Sequence, residues 1–313
     1  MNISLRRLLL PLLALLLPAR GYALSFPLPA DGEDLIGEMM TMDAVYEDTL
    51  SDIARLYDLG FEELKAANPG VDPWLPGEGT RIKIPMRFVL PPGAREGMVI
   101  NLPELRLYYY PEDEQRVITH PLGIGREGWS TPTGVSVITR KMRKPSWRPP
   151  QSILDEHAAM GDPLPMVMEP GPNNPLGDYA IYLAMTGYLL HGTNKPYGVG
   201  MRVSHGCIRL YPEDIESLFE RVPVGTPIRI IDEPFKAGWS GGRLFVEAHP
   251  PLSERLDAVG VNFTPMVSAV VTAIRENDSR PDWNAVKAAT AAQTGFSAPI
   301  DTSTAEPTDS PYR

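Results

Sequence analysis

Between residues 98 and 231 the hydrophobic positions recur mostly with a period of two, which places alternate side chains on one face of a β-strand. Charged or glycine-rich turns separate the strand-like runs, which are 98–102, 105–110, 117–124, 179–190 and 228–231. One segment has a helical period instead. It begins at Pro212 and aligns Ile215, Leu218, Phe219 and Val222. We therefore predict a mainly β domain with one clear helix.

A smaller unit precedes this domain, at about residues 42–86. Its first helical stripe is Leu50, Ile53, Ala54 and Tyr57, and its second is Phe61, Leu64 and Ala67. The alternating run 80–85 is typical of a strand, and Val45 and Tyr46 are expected to pair with it. The predicted order is strand, helix, helix, strand.

The sequence of this small unit resembles a LysM domain, a family that binds glycans containing N-acetylglucosamine. The resemblance is carried by DTLSDIA at 48–54, LKAANP at 64–69, LPG at 75–77 and IKIP at 82–85. Glu47 stands where the family usually has glycine. The resemblance implies a βααβ fold and contact with peptidoglycan glycan. The alternative is a small appendage that only packs on its neighbour.

Two further segments stand out by composition. Residues 145–177 are rich in proline, glycine, asparagine and methionine, and they are too long for a hairpin turn, so we predict a flap over a cleft. Residues 233–313 form a C-terminal extension. From about Phe296 its alanine, serine, threonine and proline content predicts a disordered tail.

The first 23 residues have the pattern of a secretory signal peptide. Arg6 and Arg7 precede an apolar run at 8–17, and small residues at 21 and 23 fit a cleavage site after about Ala23. The apolar run is about ten residues long, whereas a membrane-spanning helix needs roughly 20. We therefore expect an exported, periplasmic protein with no transmembrane segment in the mature chain.

The charge of the chain argues against two classes of partner. The formal net charge is −10, and removing a leader with three arginines and no acidic residue brings the mature chain near −13. Nucleic acids and anionic membranes bind basic surfaces, so neither is an expected partner. Composition is otherwise that of a globular protein, with 43% hydrophobic and 22% charged residues.

The chemistry centres on Cys207, the single cysteine of the chain. An unpaired thiol in an exported protein is open to oxidation, which favours a functional role over an inert one. A histidine can activate a thiol by taking its proton, and His191 and His205 are both candidates. The sequence alone does not choose between them. A zinc site formed by these three residues lacks a further ligand pattern. His120, His157 and His249 lack such a setting and are expected to be surface or packing residues.

The motif around the cysteine is similar to that of the L,D-transpeptidases, the YkuD-type catalytic domain. The matching segments are HG at 191–192, SHGCIRL at 204–210 and TPTG at 131–134, and the resemblance covers about residues 97–232. The order of leader, LysM-like unit, this domain and an extension resembles the ErfK/YbiS-like periplasmic branch. The resemblance implies a β-sandwich-like catalytic domain.

The resemblance also implies roles for individual residues. Cys207 is the nucleophile, His191 shuttles the proton and the Gly192 carbonyl orients the imidazole. The backbone N–H groups of Gly206 and Cys207 bind the oxyanion. The remaining motif residues, expected to orient substrate or to stabilise the loop, are Ser204, His205 and Arg209.

The implied reaction is a two-step acyl transfer. The thiolate attacks the diaminopimelate carbonyl of a peptidoglycan tetrapeptide stem, D-alanine leaves, and an amine takes the acyl group from the thioester. The acceptor is a lysine of an outer-membrane lipoprotein or the diaminopimelate of another stem. No metal and no organic cofactor is expected. The alternatives are hydrolysis of the same thioester, as in a carboxypeptidase or amidase, and a non-catalytic peptidoglycan-binding scaffold.

Overall fold

The computed structural model describes residues 23–259, 262–275 and 280–301. The predicted leader, except for Ala23, lies outside the described residues. The helices are α1 (Leu50–Leu56), α2 (Phe61–Ala67), α3 (Gln151–Ala159), α4 (Pro212–Arg221), α5 (Ser253–Val259), α6 (Thr264–Ala273) and α7 (Trp283–Ala292).

The strands of the first half are β1 (Leu24–Pro27), β2 (Leu35–Asp43), β3 (Arg81–Val89), β4 (Gly97–Asn101), β5 (Arg106–Tyr110), β6 (Arg116–Pro121), β7 (Ile124–Gly125) and β8 (Gly134–Arg143). Those of the second half are β9 (Tyr179–Leu183), β10 (Leu189–His191), β11 (Arg202–Ser204), β12 (Ile208–Arg209), β13 (Pro227–Ile231), β14 (Phe235–Ser240), β15 (Arg243–Ala248) and β16 (Ala298–Pro299).

A nine-stranded sheet organises the molecule, and its strand order is β1-β6-β5-β4-β13-β8-β9-β10-β12. Strand β13 is parallel to β4, and β12 is parallel to β10. The remaining neighbours in this sheet are antiparallel. The expected mainly β fold is confirmed. The last two strands, β10 and β12, carry the two ends of the predicted catalytic motif.

Both faces of the central strands are buried, because different parts of the chain cover them. Leu107 and Tyr109 of β5 lie in a core that includes Ile215 and Leu218 of α4. Tyr108 and Tyr110 point the other way, into a second core shared with α1, α2 and β3. Alternating apolar and polar side chains in an antiparallel strand usually indicate that one face of the sheet is exposed to solvent. Here the N-terminal unit covers that second face.

The N-terminal unit has the predicted strand, helix, helix, strand order, in β2, α1, α2 and β3. Helix α1 begins after Thr49, whose side chain accepts a hydrogen bond from the Asp52 N–H at 3.1 Å. The expected pairing by Val45 and Tyr46 is wrong: β2 ends at Asp43, and Asp48 Oδ2 accepts from the Val45 N–H at 2.8 Å to form a turn. The paired strands are 35–43 and 81–89, longer than the strands expected at 45–46 and 80–85.

A buried ion pair fixes this unit to the sheet. The guanidinium of Arg106, on β5, has no exposed surface and donates to Glu63 Oε2 of α2 at 2.7 Å. It also lies over the Phe88 ring at 4.3 Å. Breaking a buried pair by removing one partner costs about 3–5 kcal/mol. The position of the N-terminal unit on the sheet is therefore strongly specified.

The C-terminal extension folds onto the same assembly. Strands β14, β15 and β16 form a three-stranded sheet, against which α6 and α7 pack. Lys236 of β14 is buried between Glu104 and Glu247, at 2.8 and 2.7 Å. The start of the predicted disordered tail is wrong, because β16 pairs with β15 and Ile300 is buried. Residues 302–313 lie outside the described residues.

The predicted flap also contains structure that its composition did not indicate. Helix α3 lies within residues 145–177, so the catalytic region has a second helix besides α4. The base of the segment is closed by the buried side chain of Asn174, which donates to the Pro145 carbonyl at 2.9 Å and accepts from the Leu176 N–H at 2.9 Å. Within the described residues, no helix has the length and apolarity needed to cross a bilayer.

Candidate active site

The parallel pairing of β10 with β12 brings the motif residues together. Leu190 lies beside Ile208, and His191 lies beside Arg209. Paired residues on neighbouring strands project to the same face, and so do residues two apart on one strand. Cys207, which immediately precedes β12, therefore shares a sheet face with Arg209 and His191. This one strand pairing brings together His191 and Cys207, which lie 16 positions apart in the sequence.

His191 is buried and has a defined hydrogen bond. Its Nδ1 lies 2.6 Å from the carbonyl oxygen of Gly192. A carbonyl only accepts, so this contact assigns the proton of the neutral ring to Nδ1. Burial and then the nearby Arg209 guanidinium lower the pKa of His191 to about 3, against the hydrogen bonds with the Gly192 and Pro175 carbonyls. The imidazole is therefore neutral at physiological pH.

Gly192 has a packing reason to lack a side chain. A Cβ at this position would lie 3.0 Å from Ile215 Cγ2 and 3.4 Å from the Leu176 carbonyl oxygen. The helix after the cysteine and the end of the flap thus both press on the residue that holds His191. The position of the imidazole depends on these neighbours as well as on its strand.

Cys207 is half-buried, with its Sγ 3.7 Å from the carbonyl oxygen of Gly187. Burial raises the pKa of this thiol, and the Leu189 backbone hydrogen bond and the Arg209 charge oppose that effect without cancelling it. Cysteine and histidine are therefore a neutral thiol and a neutral imidazole before substrate arrives, rather than a thiolate–imidazolium pair.

The loop before Cys207 is shaped by Gly206 and Ser204. Gly206 has a φ of +103°, a conformation that favours glycine, and a Cβ there would lie 3.2 Å from the Tyr188 ring. Ser204 Oγ accepts from the Gly206 N–H at 3.2 Å and donates to the Cys207 carbonyl at 2.5 Å. Ser204 thus stabilises the loop, and the Gly206 N–H is already engaged.

Thr131 holds the same loop from behind. Its hydroxyl donates to the Gly206 carbonyl at 2.8 Å and accepts from the Gly125 N–H at 3.2 Å. The TPTG segment at 131–134 is part of the sequence resemblance, but no residue in it was assigned a role. The contact shows what Thr131 does: it ties β7 to the nucleophile loop.

His205 lies in a polar cluster apart from the Gly192 carbonyl that binds His191. Its Nε2 is 2.8 Å from Glu156 Oε2 on α3 and 3.3 Å from Arg126 Nη2, and its ring meets Trp129 edge-on at 4.8 Å. Glu156 also pairs with Arg126. The flap therefore contacts the nucleophile loop through His205. Sequence reasoning missed Glu156, which is 49 positions away.

Arg209 is partly buried, close enough to affect the charge of both Cys207 and His191. Its Nε is buried with no hydrogen-bond partner among the described residues, and burial lowers its pKa from the usual range. A Cβ on Gly198 would lie 2.9 Å from Arg209 Nη1, so the chain closes tightly over the guanidinium. The charge of Arg209 makes the electrostatic potential at this site more positive, which disfavours protonation of the His191 imidazole.

Two clusters outside this site have the donor atoms of a metal centre, within the ranges described. They are Asp58 with His120 and Asp214, and Glu104 with Glu247 and His249. Lys236 already provides the cation of the second cluster. His120 and His249 are both buried beside carboxylates, which makes them more than packing residues. Neither cluster includes Cys207 or His191.

Comparison with known proteins identifies the family of the catalytic domain. The YkuD model, described as the L,D-transpeptidase catalytic domain, matches residues 95–230, which hold the motif and the strands of the nine-stranded sheet other than the edge strand β1. The chain belongs to the L,D-transpeptidase family, as relatives that match most of its length show.

Three of these relatives are from Escherichia coli (strain K12). The probable L,D-transpeptidase YbiS is 43% identical over 258 residues, 79% of this chain and 84% of that protein. The probable L,D-transpeptidase YcfS is 47% identical over 252 residues, 78% of each. The probable L,D-transpeptidase ErfK/SrfK is 43% identical over 235 residues, 74% of this chain and 76% of that protein.

Proposed function

We propose that this protein is a periplasmic L,D-transpeptidase that uses Cys207 as its nucleophile. The thiolate attacks the diaminopimelate carbonyl of a peptidoglycan tetrapeptide stem, releases D-alanine and leaves the stem as a thioester. An amine then takes the acyl group. The observation that carries the proposal is the β10–β12 pairing, which places the single cysteine on one sheet face with a buried, neutral histidine.

His191 is the proposed base, because its neutral ring carries one proton and has one nitrogen that can accept another. Nδ1 donates to the Gly192 carbonyl, so Nε2 is the nitrogen that accepts the thiol proton. The same proton is later given to the departing amine of D-alanine. His205, whose Nε2 already contacts Glu156, is proposed as a neighbour that positions the loop and substrate.

The proposed oxyanion donors are the backbone N–H groups of Cys207 and Gly206. The Gly206 N–H donates to Ser204 Oγ in this structure, so we assign the Cys207 N–H as the first oxyanion donor. The Gly206 N–H becomes the second donor once the Ser204 side chain has turned away. Arg209 adds positive charge behind the developing oxyanion and thiolate. Donors of this kind typically contribute about 10²–10³-fold each. This arrangement of protein groups carries the chemistry without a cofactor.

The N-terminal unit is proposed to hold glycan near the catalytic domain, as its LysM-like sequence implies. Support comes from aromatic side chains on its outer surface: Trp74 and Tyr46 are 60% and 78% exposed, and Trp74 stacks on Phe61 at 5.7 Å. Exposed, fixed aromatic faces suit sugar rings. Co-sedimentation with insoluble peptidoglycan should weaken in a Trp74→Ala variant and not in a Leu56→Ala control, which is also exposed.

The acceptor is tested by product analysis. The purified mature protein is incubated with tetrapeptide muropeptides, with and without an outer-membrane lipoprotein that ends in lysine, and the products are identified by mass spectrometry. Dimers joined between diaminopimelates, or a muropeptide joined to the lipoprotein, support transfer. Tripeptide muropeptides and free D-alanine, with no joined product, would assign hydrolysis, and unchanged muropeptides would contradict the proposal.

A further inference from the structure

The first strand of the described chain starts beside a buried carboxylate. The backbone nitrogen of Leu24 donates to Asp58 Oδ2 at 3.0 Å, and β1 then pairs with β6 from Leu24 to Pro27. Leu24 immediately follows Ala23, after which the sequence predicts cleavage of the leader. Cleavage at that bond would turn the amide nitrogen of Leu24 into the terminal α-amine, at the position where it already contacts Asp58.

Asp58 belongs to a cluster of three buried titratable residues next to the start of β1. Asp58, His120 and Asp214 are 7%, 0% and 3% exposed. His120 Nδ1 lies 3.4 Å from Asp58 Oδ2 and 3.3 Å from Asp214 Oδ1. The other carboxylate oxygens, Asp58 Oδ1 and Asp214 Oδ2, are buried with no hydrogen-bond partner among the described residues. Two acids thus face one histidine, which leaves the cluster short of one positive charge.

The other cations near this cluster are already paired. Arg106 donates to the Asp58 carbonyl at 3.3 Å, but its ion pair is with Glu63 at 2.7 Å. Arg55 pairs with Glu213 at 2.7 Å. Among the described residues, Tyr211 is a further titratable neighbour, and its hydroxyl donates to the Leu59 carbonyl at 3.1 Å. None of these groups neutralises the second carboxylate.

We propose that Asp58, His120 and Asp214 form a receptor for the α-ammonium group of Leu24, which is created when a leader peptidase hydrolyses the Ala23–Leu24 bond. The C–N bond of that peptide breaks as water adds its hydroxyl to the Ala23 carbonyl carbon. The nitrogen gains the remaining hydrogen of that water and a solvent proton. The leader leaves with a carboxylate, and the mature chain gains one cation with three donors.

The electrostatics of the cluster are those of a site that lacks a cation. Burial and then the Asp58 charge raise the pKa of Asp214 to about 8. Burial opposes the charged form of His120, but Asp214 and Asp58 outweigh it and raise its pKa to about 10. An ammonium at Leu24 would add a positive charge and two further donors beside Asp58 Oδ2, which favours the ionised form of both acids at neutral pH.

The receptor is connected to the nucleophile by the chain itself. Asp214 lies in the first turn of α4, and that helix follows Cys207, β12 and Tyr211 directly. Asp58 lies in the N-terminal unit, at the end of α1 with a φ of +51°. One terminal amine would therefore join β1, the N-terminal unit and the helix that packs against Gly192. Removal of the leader would complete the fold around the active site.

The test compares two forms of the full chain, one beginning at Leu24 and one beginning at Ala23. Ala23 is already accommodated, half-buried against the core, so the added residue moves the terminal charge one residue away from Asp58 without a clash and leaves an uncharged amide at Leu24. The form beginning at Leu24 should melt higher by roughly 5–10 °C. Asp58→Asn should shrink the difference between the two forms to about 1–2 °C, whereas Asp43→Asn, at an exposed carboxylate, should leave it unchanged.

Amine reactivity gives a second readout if the Asp58 variant does not fold. At pH 7 the terminal amine of the Leu24 form should be protected from an amine-acylating reagent at least tenfold relative to the Ala23 form, and protection should disappear in urea. Equal melting temperatures with an unprotected amine would overturn the proposal, as would a natural mature protein that begins elsewhere. Stability lost equally by both forms on adding a chelator would assign the cluster to a divalent metal instead.

Discussion

Two histidines buried in the same sheet assembly have opposite electrostatic surroundings. His191 has a carbonyl and a guanidinium as neighbours, and its pKa falls to about 3. His120 has two carboxylates as neighbours, and its pKa rises to about 10. Burial alone disfavours the charged form of both, so the difference lies in the partners. Because of these partners, His191 is a neutral base beside the nucleophile, whereas His120 is a cation that holds three segments of the chain together.

The largest expected effect comes from removing the nucleophile that the neutral histidine serves. Cys207→Ala should abolish acyl transfer, because no thioester can form, and should shift the melting temperature by less than about 2 °C, since a small half-buried side chain is shortened. Muropeptide turnover and thermal unfolding measure the two effects. Turnover retained by the purified variant would remove Cys207 from the mechanism.

The next effect concerns which histidine is the base. His191→Ala should lower the single-turnover acylation rate by about 10²–10⁴-fold, because the proton acceptor is lost. His205→Ala should lower the acylation rate less, since the His205 ring contacts Glu156 and is not the proposed acceptor of the thiol proton. Rates measured across pH decide between them. If only His205→Ala removes the pH dependence, the roles of the two histidines are exchanged.

The two buried histidines should affect stability on opposite sides of the pH–stability curve, His120 on the alkaline limb and His191 on the acid limb. The folded-state pKa of His120 lies above its ordinary 6.5, so its stabilisation is complete below pH 6.5 and is lost as pH rises toward about 10. The folded-state pKa of His191 lies below 6.5, so stability is lost as pH falls from 6.5 toward about 3.

Chemical denaturation from pH 3 to 10 measures both limbs. His120→Gln should flatten the alkaline limb and leave the acid limb, and His191→Gln should do the reverse. Each pKa unit corresponds to about 1.4 kcal/mol in the free energy of unfolding, so several units are measurable. Identical pH profiles for the two variants would mean that the partners do not set the charge states.

The smallest effect is expected at His205, which has one carboxylate neighbour, Glu156. Glu156→Gln should loosen the contact between α3 and the nucleophile loop, and should raise the ratio of hydrolysed to transferred product by roughly two- to fivefold, since ion pairs that solvent can still reach are weak. Asp155→Asn, exposed on the same helix, is the matched control. An equal ratio in both variants would mean that the flap does not keep water from the thioester.

The sequence says more about the candidate site than about its surroundings. Cys207, His191 and Gly192 stand in two short motif segments, 191–192 and 204–210, and the mainly β fold follows from periodicity. His120 was expected to be a surface or packing residue, because its partners Asp58 and Asp214 lie 62 and 94 positions away along the chain. Charge pairs between distant segments leave no local pattern. The same holds for Glu156 and His205.

The bounds of ordered elements were also poorly predicted from the sequence, again because distant residues determine them. Strand β16 lies in a segment whose composition indicated disorder, and it is ordered by pairing with β15 rather than by its own residues. Helix α3 lies in a proline-rich flap and is anchored by Glu156. In both cases the partner that stabilises the element comes from elsewhere in the chain.

The central claim is that a neutral His191 activates Cys207 to form an acyl-enzyme. Intact-protein mass spectrometry tests it most directly, on samples quenched in acid during a single turnover with a tetrapeptide stem. We predict an added mass equal to the stem minus D-alanine, mapped to Cys207, removed by hydroxylamine and strongly reduced in His191→Ala. Release of D-alanine by the wild-type protein with no covalent adduct on Cys207 would contradict the claim.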